Sequence, residues 1–154
     1  FFSACGQEEV EETGQDTQQE DAFAPEEGRW SFQGWEVESD GCSLEEEWAA
    51  PNGFDLRLEE GGFNLDMTTL DETTCTLEGG VFLCESVGRE WPFESGTSLV
   101  ESLVLTGEFQ ASNRASGEAT IGQECLGEGC EQLGELRGAT YPCQTVMAFE
   151  AETD

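Results

Sequence analysis

Seven cysteines are the residues of this sequence whose spacing most clearly specifies chemistry. Cys75 and Cys84 flank a short apolar stretch that contains Gly79-Gly80 at its centre. Two glycines favour a two-residue type I′ turn, because both central positions of that turn need a positive φ. A turn there places Cys75 opposite Cys84 in a non-hydrogen-bonded pair, where the Cα atoms are close enough for a disulfide. The sequence therefore predicts a disulfide-bonded β-hairpin.

Four of the other cysteines have three alternative pairings, and the sequence alone leaves them open. We favour a local disulfide between Cys125 and Cys130, which leaves Cys42 to bond with Cys143 and tie the first part of the domain to the last. The alternative is a zinc site, since Cys125 and Cys130 have a spacing found in metal knuckles. The chain has no histidine, and its cysteine content indicates an oxidising compartment, so we expect disulfides and no metal site.

The remaining residue types limit catalysis. Without histidine or lysine, the chain cannot form a Ser-His-Asp or Cys-His site or a Schiff base. A secreted carbohydrate-active hydrolase with paired carboxylates is an alternative, but 35 acidic residues single out no pair. We therefore expect no catalytic residues and no cofactor. Weak Ca²⁺ binding, through Asp66, Asp71 and Glu72 or through residues 45–47, is the metal-binding alternative.

The charge of the chain excludes several partners. The formal net charge is −30, from 35 acidic residues against five arginines. Nucleic acids and anionic lipid headgroups present phosphates, which such a surface repels. The same charge keeps copies of the chain apart, so we expect a soluble monomeric domain that does not bind nucleic acid.

The N-terminal residues resemble the end of a bacterial lipoprotein signal peptide. Phe2-Ser3-Ala4-Cys5 has the large apolar residue, two small residues and cysteine of that motif in order. The resemblance implies that Cys5 is lipidated and anchors the protein to a membrane, outside the cytoplasm, at the bacterial outer membrane or cell surface. Residues 6–27 are acidic and poor in apolar side chains, which predicts a disordered tether. We therefore divide the chain into residues 1–27 and a folded domain at 28–154.

The folded domain begins with an aromatic strand. Trp30 and Phe32 are two residues apart and so lie on the same face of the predicted strand. A bulge at Gly34 would return Trp35 to that face. Ser43 and Glu46 have the spacing of a capping box, which favours the start of a helix. Because Pro51 prevents much extension, residues 44–48 can form at most a short helix.

Two further hairpins follow from glycine and asparagine turns. A turn at Gly61-Gly62 would pair Arg57 with Asp66 across the strands. A loop centred on residues 113–114 would place Phe109 opposite Ala119. Strands separated by turns, with almost no helical periodicity, predict an all-β fold: an antiparallel barrel or sandwich of about eight strands.

Aromatic side chains are the best candidates for binding a ligand. Rings line small-molecule pockets, although they also fill ordinary cores. The large rings are Trp30, Phe32, Trp35, Trp48, Trp91 and Phe93, and the first five are the predicted ligand-binding residues. Gly28-Arg29-Trp30 resembles the Gly-x-Trp motif that opens the first strand of lipocalins. That resemblance implies an eight-stranded barrel with an apolar cavity.

These observations predict a lipid-anchored cell-envelope protein whose β domain is a non-catalytic binding or structural module. Its expected partners are the membrane, through the lipid anchor, and a small apolar ligand or an envelope protein. One alternative is a lipocalin-like carrier of an apolar small molecule, which an internal cavity lined by tryptophans would favour. The other is the hydrolase, which needs two carboxylates facing each other across a cleft.

Overall fold

Antiparallel β-strands form almost the whole domain. The structure is a computed structural model that describes residues 24–48, 50–67, 72–85 and 88–154. Cys5 and residues 6–23 of the predicted tether lie outside the described residues. The elements are β1 (Gly28–Asp40), β2 (Gly53–Glu59), β3 (Gly62–Asp66), β4 (Thr73–Glu78), β5 (Val81–Glu85), β6 (Arg89–Pro92), β7 (Ser98–Ala111), β8 (Arg114–Leu126), α1 (Cys130–Arg137) and β9 (Cys143–Thr153).

The strands close into a barrel. From β1 to β5, and again from β7 to β9, each strand pairs antiparallel with the next one in sequence. β5 also pairs with β7, and β9 pairs with β1, so eight strands form a closed ring. β6 pairs with the first residues of β7 and continues the line of β5 along that edge. The predicted antiparallel barrel is confirmed, and the sandwich alternative is wrong.

The β4–β5 hairpin has the predicted register. Cys75 lies opposite Cys84, and the pairs between them follow in order to the turn. Gly79 and Gly80 have φ angles of 61° and 83°, so both occupy the left-handed region that a type I′ turn requires. Local turn chemistry is therefore sufficient to define this hairpin.

The β2–β3 hairpin turns one residue earlier than predicted, at Glu60-Gly61. Arg57 consequently lies opposite Asn64, and Asp66 lies opposite Asp55, so the predicted cross-strand pair of Arg57 with Asp66 is wrong. A shift of two residues keeps every side chain on its expected face, since the strand period is two.

Gly62 explains this shift. It is the first residue of β3, and a Cβ atom there would overlap the carbonyl group of Cys75 on β4. The second glycine of the pair therefore allows close approach of two strands and does not form the turn.

The β7–β8 hairpin also differs from its predicted register. Its turn covers residues 112–113, and Phe109 lies opposite Ala115, so the predicted pairing of Phe109 with Ala119 is wrong. The contact between a large and a small side chain is retained. A bulge between Phe109 and Ala111 accommodates the tighter turn.

Three disulfides cross-link the barrel, with the pairings that the sequence favours. They are Cys42–Cys143, Cys75–Cys84 and Cys125–Cys130. Because Cys125 and Cys130 are bonded to each other, their thiolates are not free to form the alternative zinc site. Three disulfides point to an extracytoplasmic, oxidising location.

The interior of the barrel is filled by side chains. Trp30 is completely buried, its ring stacked on Phe54 at 5.8 Å and edge-on to Phe109 at 5.7 Å between centroids. Phe32 and Trp35 pack against the same cluster, which the bulge after Phe32 makes possible. This core therefore occupies the space where an internal ligand cavity would lie.

The two ends of the barrel differ. At the end we call the turn end, strands are joined by short turns at residues 60–61, 79–80 and 112–113. The opposite end, the loop end, carries the long connections, including residues 41–52 and 127–142. The chain enters at the turn end, where the Glu26 amide donates a hydrogen bond to the Ser112 carbonyl over 2.8 Å.

Residues before β1 are already part of this packing. Pro25 is buried, the Trp30 indole donates to the Glu26 carbonyl over 2.9 Å, and the Glu27 carboxylate accepts from the Leu58 amide over 2.9 Å. Ordered structure thus includes four residues that the sequence assigns to the tether.

Candidate functional site

An apolar depression opens at the loop end of the barrel, and we call it the cup. It has a volume of about 260 Å³. Its lining residues are Leu44, Glu47, Trp48, Trp91, Phe93, Leu99, Glu101, Gln123 and Arg137. The cup therefore combines a mainly apolar wall with a small number of polar groups, as binding pockets commonly do.

One wall of the cup is formed where β6, the start of β7 and the end of β8 pair side by side. β6 pairs with the first residues of β7, which places Trp91 opposite Leu99. The Phe93 amide then donates to the Thr97 carbonyl over 2.8 Å, and this bond fixes the bend between β6 and β7. Trp91 remains 48% exposed and Phe93 39% exposed, whereas Leu99 is buried beneath them. Backbone hydrogen bonds between β6 and β7, and not burial of the side chains, therefore hold Trp91 and Phe93 in place.

The opposite wall is a single hydrogen-bonded turn after β1. The amides of Glu47 and Trp48 donate to the Leu44 carbonyl over 3.0 and 2.8 Å. The Trp48 ring lies edge-on to Trp35, with 5.0 Å between centroids. Residues 45–47 form a hydrogen-bonded turn, so the short helix that the sequence allows at residues 44–48 does not form. The Trp48 ring packs this turn against the aromatic core.

Asp40 fixes the start of that turn. Its carboxylate accepts hydrogen bonds from the amides of Leu44 and Glu45 at 2.7 and 3.0 Å and from Thr145 Oγ1 at 2.9 Å. Desolvation acts to raise the pKa of Asp40, but these three hydrogen bonds outweigh it and hold the pKa below its usual value. Asp40 is therefore ionised at neutral pH and stabilises the wall.

Helix α1 positions Arg137, the positively charged side chain that lines the cup. It starts at Cys130, which the disulfide to Cys125 holds against the end of β8. After its last residue, the Gly138 carbonyl accepts a hydrogen bond of 2.6 Å from Ser43 Oγ. Both ends of the helix are thus fixed to the cup walls, and Arg137 in its last turn faces Glu47 at 3.3 Å.

The polar groups of the cup are only partly paired. Gln123 Nε2 donates to Glu101 at 2.8 Å. The guanidinium of Arg137 makes the one described hydrogen bond to Glu47, and its buried Nε atom has no partner among the described residues. A guanidinium carries five N–H donors, so most donors of Arg137 have no partner among the residues that the structure describes.

The structure divides the predicted aromatic residues into two groups. Trp30, Phe32 and Trp35 belong to the hydrophobic core, whereas Trp48 and Trp91 line the cup. Phe93, which the sequence offers as a further large ring, also lines the cup, whereas Glu101 and Arg137 were not predicted as binding residues. The signal for Arg137 was its rarity, since the chain has only five arginines.

The carboxylates show one close pair, which lies away from the cup. Glu38 lies in the bulge of β1 between Val37 and Ser39, and Glu118 on β8 lies opposite Ala148 on β9. A side-chain hydrogen bond with Glu118 raises the pKa of Glu38, and desolvation and the charges of Glu118 and Glu36 act in the same direction. Glu38 therefore keeps its proton to a higher pH than an isolated carboxyl group does.

The residues considered for calcium do not form a described cluster. Glu72 is paired with Arg57 at 2.7 Å, and Asp71 lies outside the described residues. Within the described ranges, no three histidine, cysteine or acidic side chains are grouped as metal ligands would be.

The described helix is too short and polar to cross a membrane, and no other described helix is suited to it.

Comparisons with known proteins do not add a relative. No protein-family model matches the chain, and neither the curated proteins nor the solved structures include a significant match. The function is therefore argued from the geometry of the barrel and the cup.

Proposed function

We propose that this chain is a lipid-anchored, non-catalytic binding module of the cell envelope, and that the cup holds a small apolar ligand. The observation that carries the proposal is the exposure of Trp91 and Phe93 above a barrel that is otherwise filled. Covering apolar surface is worth about 25 cal/mol per Å². A ligand that covers the exposed rings of Trp91 and Phe93 would therefore gain this free energy on binding.

The anchor and the cup are compatible in position. The proposed lipidation site Cys5 precedes the point where the chain joins the barrel, which is the turn end. The cup lies at the opposite end. The N-terminal segment therefore joins the barrel at the end away from the cup and leaves the cup open to a ligand.

The two rival functions fit the geometry less well. A carrier with an internal cavity would need space that Trp30 and its neighbours occupy. A glycosidase needs its two carboxyl groups about 5 to 9.5 Å apart, with room for the sugar between them. Glu38 and Glu118 lie close enough for a side-chain hydrogen bond, and the two carboxylates of the cup, Glu47 and Glu101, are engaged by Arg137 and Gln123.

Saturation-transfer NMR with ethylbenzene tests the proposal. This probe is apolar, uncharged and small enough for the cup. We expect saturation to pass from the protein to ethylbenzene in the unchanged chain, and to fall several-fold in Trp91→Ser, because the largest exposed ring is removed. The absence of transfer in the unchanged chain would refute the binding function.

Leu83→Ser provides the matched control. Leu83 is 40% exposed on β5 and does not line the cup. We expect this variant to transfer saturation as the unchanged chain does. Equal losses in Leu83→Ser and Trp91→Ser would mean that ethylbenzene contacts exposed apolar surface generally, and would contradict a site at the cup.

A further inference from the structure

The polar side chains of the cup indicate which polar group an otherwise apolar ligand carries. This inference rests on the proposed function, because it concerns the same cup. The side chain of Arg137 is 25% exposed and lines the cup, and one described hydrogen bond, to Glu47, engages its guanidinium. A guanidinium donates hydrogen bonds and accepts none. A ligand with an acceptor oxygen would therefore use donors that have no partner within the described ranges.

The charges around the cup disfavour an ionic ligand. Glu47 is paired with Arg137, and Glu101 accepts a hydrogen bond from Gln123. Both carboxylates of the cup thus already have a partner, so neither needs an organic cation. The chain as a whole carries −30, which repels an anion on its approach. A neutral ligand avoids both difficulties.

The size of the cup limits the ligand to about one ring. An apolar cavity of roughly 150 Å³ can hold benzene, and the cup has about 260 Å³. We propose that the cup binds a small neutral molecule with one apolar ring and one carbonyl-type oxygen. The ring lies against Trp91 and Phe93, and the oxygen accepts a hydrogen bond from the Arg137 guanidinium.

Three probes of similar size separate the parts of this proposal. Methyl benzoate has the ring and a neutral acceptor, ethylbenzene has the ring alone, and benzoate has the ring and a negative charge. Their affinities for the chain are measured by following backbone amide shifts in an NMR titration. We expect methyl benzoate to bind about tenfold more tightly than ethylbenzene, as one hydrogen bond to a charged group allows, and benzoate to bind more weakly than the ester.

Arg137→Met tests the assigned donor. It should reduce the affinity for methyl benzoate about tenfold more than it reduces the affinity for ethylbenzene, because only the ester uses the guanidinium donor. Arg114→Met is the control, since Arg114 lies at the turn end next to residues 112–113. It should leave both affinities unchanged.

The other outcomes are distinguishable. Equal affinities for the ester and ethylbenzene in the unchanged chain would overturn the acceptor inference and leave the proposed function standing, and this comparison needs no variant to fold. Tightest binding of benzoate would overturn the neutrality of the ligand. Failure of all three probes to bind would refute the proposed function itself.

Discussion

Cys42 and Cys143 are bonded to each other across the seam between the first and last strands, with their Cα atoms 5.2 Å apart. Cys42 follows β1 by two residues, and Cys143 begins β9. The amide of Gly41 also donates to the Gln144 carbonyl over 2.9 Å. Since the β1–β9 pairing closes the barrel, this disulfide locks the closure beside the cup.

We expect loss of this disulfide to destabilise the fold strongly. It closes a loop with a sequence separation of 101, for which the chain-entropy estimate is about 4.7 kcal/mol. The Cys125–Cys130 bond has a separation of five, and the same estimate gives about 2 kcal/mol. Urea denaturation of the two double serine variants measures the difference. Equal losses would contradict a special role for the seam.

The turn of the β4–β5 hairpin allows a cleaner test of backbone conformation. An added Cβ would meet no atom within 4 Å at Gly79 or at Gly34, but only Gly79 has a positive φ, of 61°. We expect Gly79→Ala to lower the free energy of unfolding by about 1 to 2 kcal/mol. Gly34→Ala should have little effect or a slightly favourable one. Thermal denaturation distinguishes them, and equal melting temperatures would speak against a type I′ turn.

The contrast between the glycine pairs explains how much of the fold the sequence could predict. At Gly79-Gly80 both glycines serve the turn, so local rules give the register. At Gly61-Gly62 the second glycine serves a contact with Cys75 on β4. That contact depends on a third strand, which no local pattern of the hairpin specifies. The faces of the strands were nevertheless predictable, because both registers obey the same alternation.

The cup was harder to predict than the barrel, because distant segments form it. Trp91 comes from β6, Phe93 from the connection after it, Trp48 from the connection after β1, and Arg137 from α1. A pattern can identify an aromatic residue, but burial decides its role: Trp30 and Trp91 have the same side chain and are 0% and 48% exposed. That difference follows from barrel closure, which is a long-range property.

Asp40 predicts how stability depends on pH. Its pKa is lower in the folded state than the usual value of about 3.9, so the unfolded chain binds a proton more readily. The stabilisation is complete above about pH 4 and is lost as the pH falls through the folded pKa. Asp40→Ala should therefore lower the free energy of unfolding by about 1 kcal/mol at pH 7, as loss of a helix cap does, and by progressively less below pH 4.

Asp55→Ala is the control for this pH dependence. Asp55 faces Arg29 at 3.5 Å, and its side chain is 56% exposed, so the pair contributes little at any pH. Urea denaturation from pH 7 to pH 2 compares the three proteins. A constant difference between Asp40→Ala and the unchanged chain would show that the charge of Asp40 is not responsible.

Lipidation of Cys5 is tested by cell fractionation. The proposed anchor is the set of acyl chains on Cys5. Cys5→Ser should move the protein, when it is expressed with a bacterial lipoprotein signal sequence, from the membrane to the soluble fraction. The Cys125→Ser, Cys130→Ser double variant should stay with the membrane, because it loses a disulfide and keeps Cys5. Retention of Cys5→Ser on the membrane would mean that another part of the chain makes the attachment.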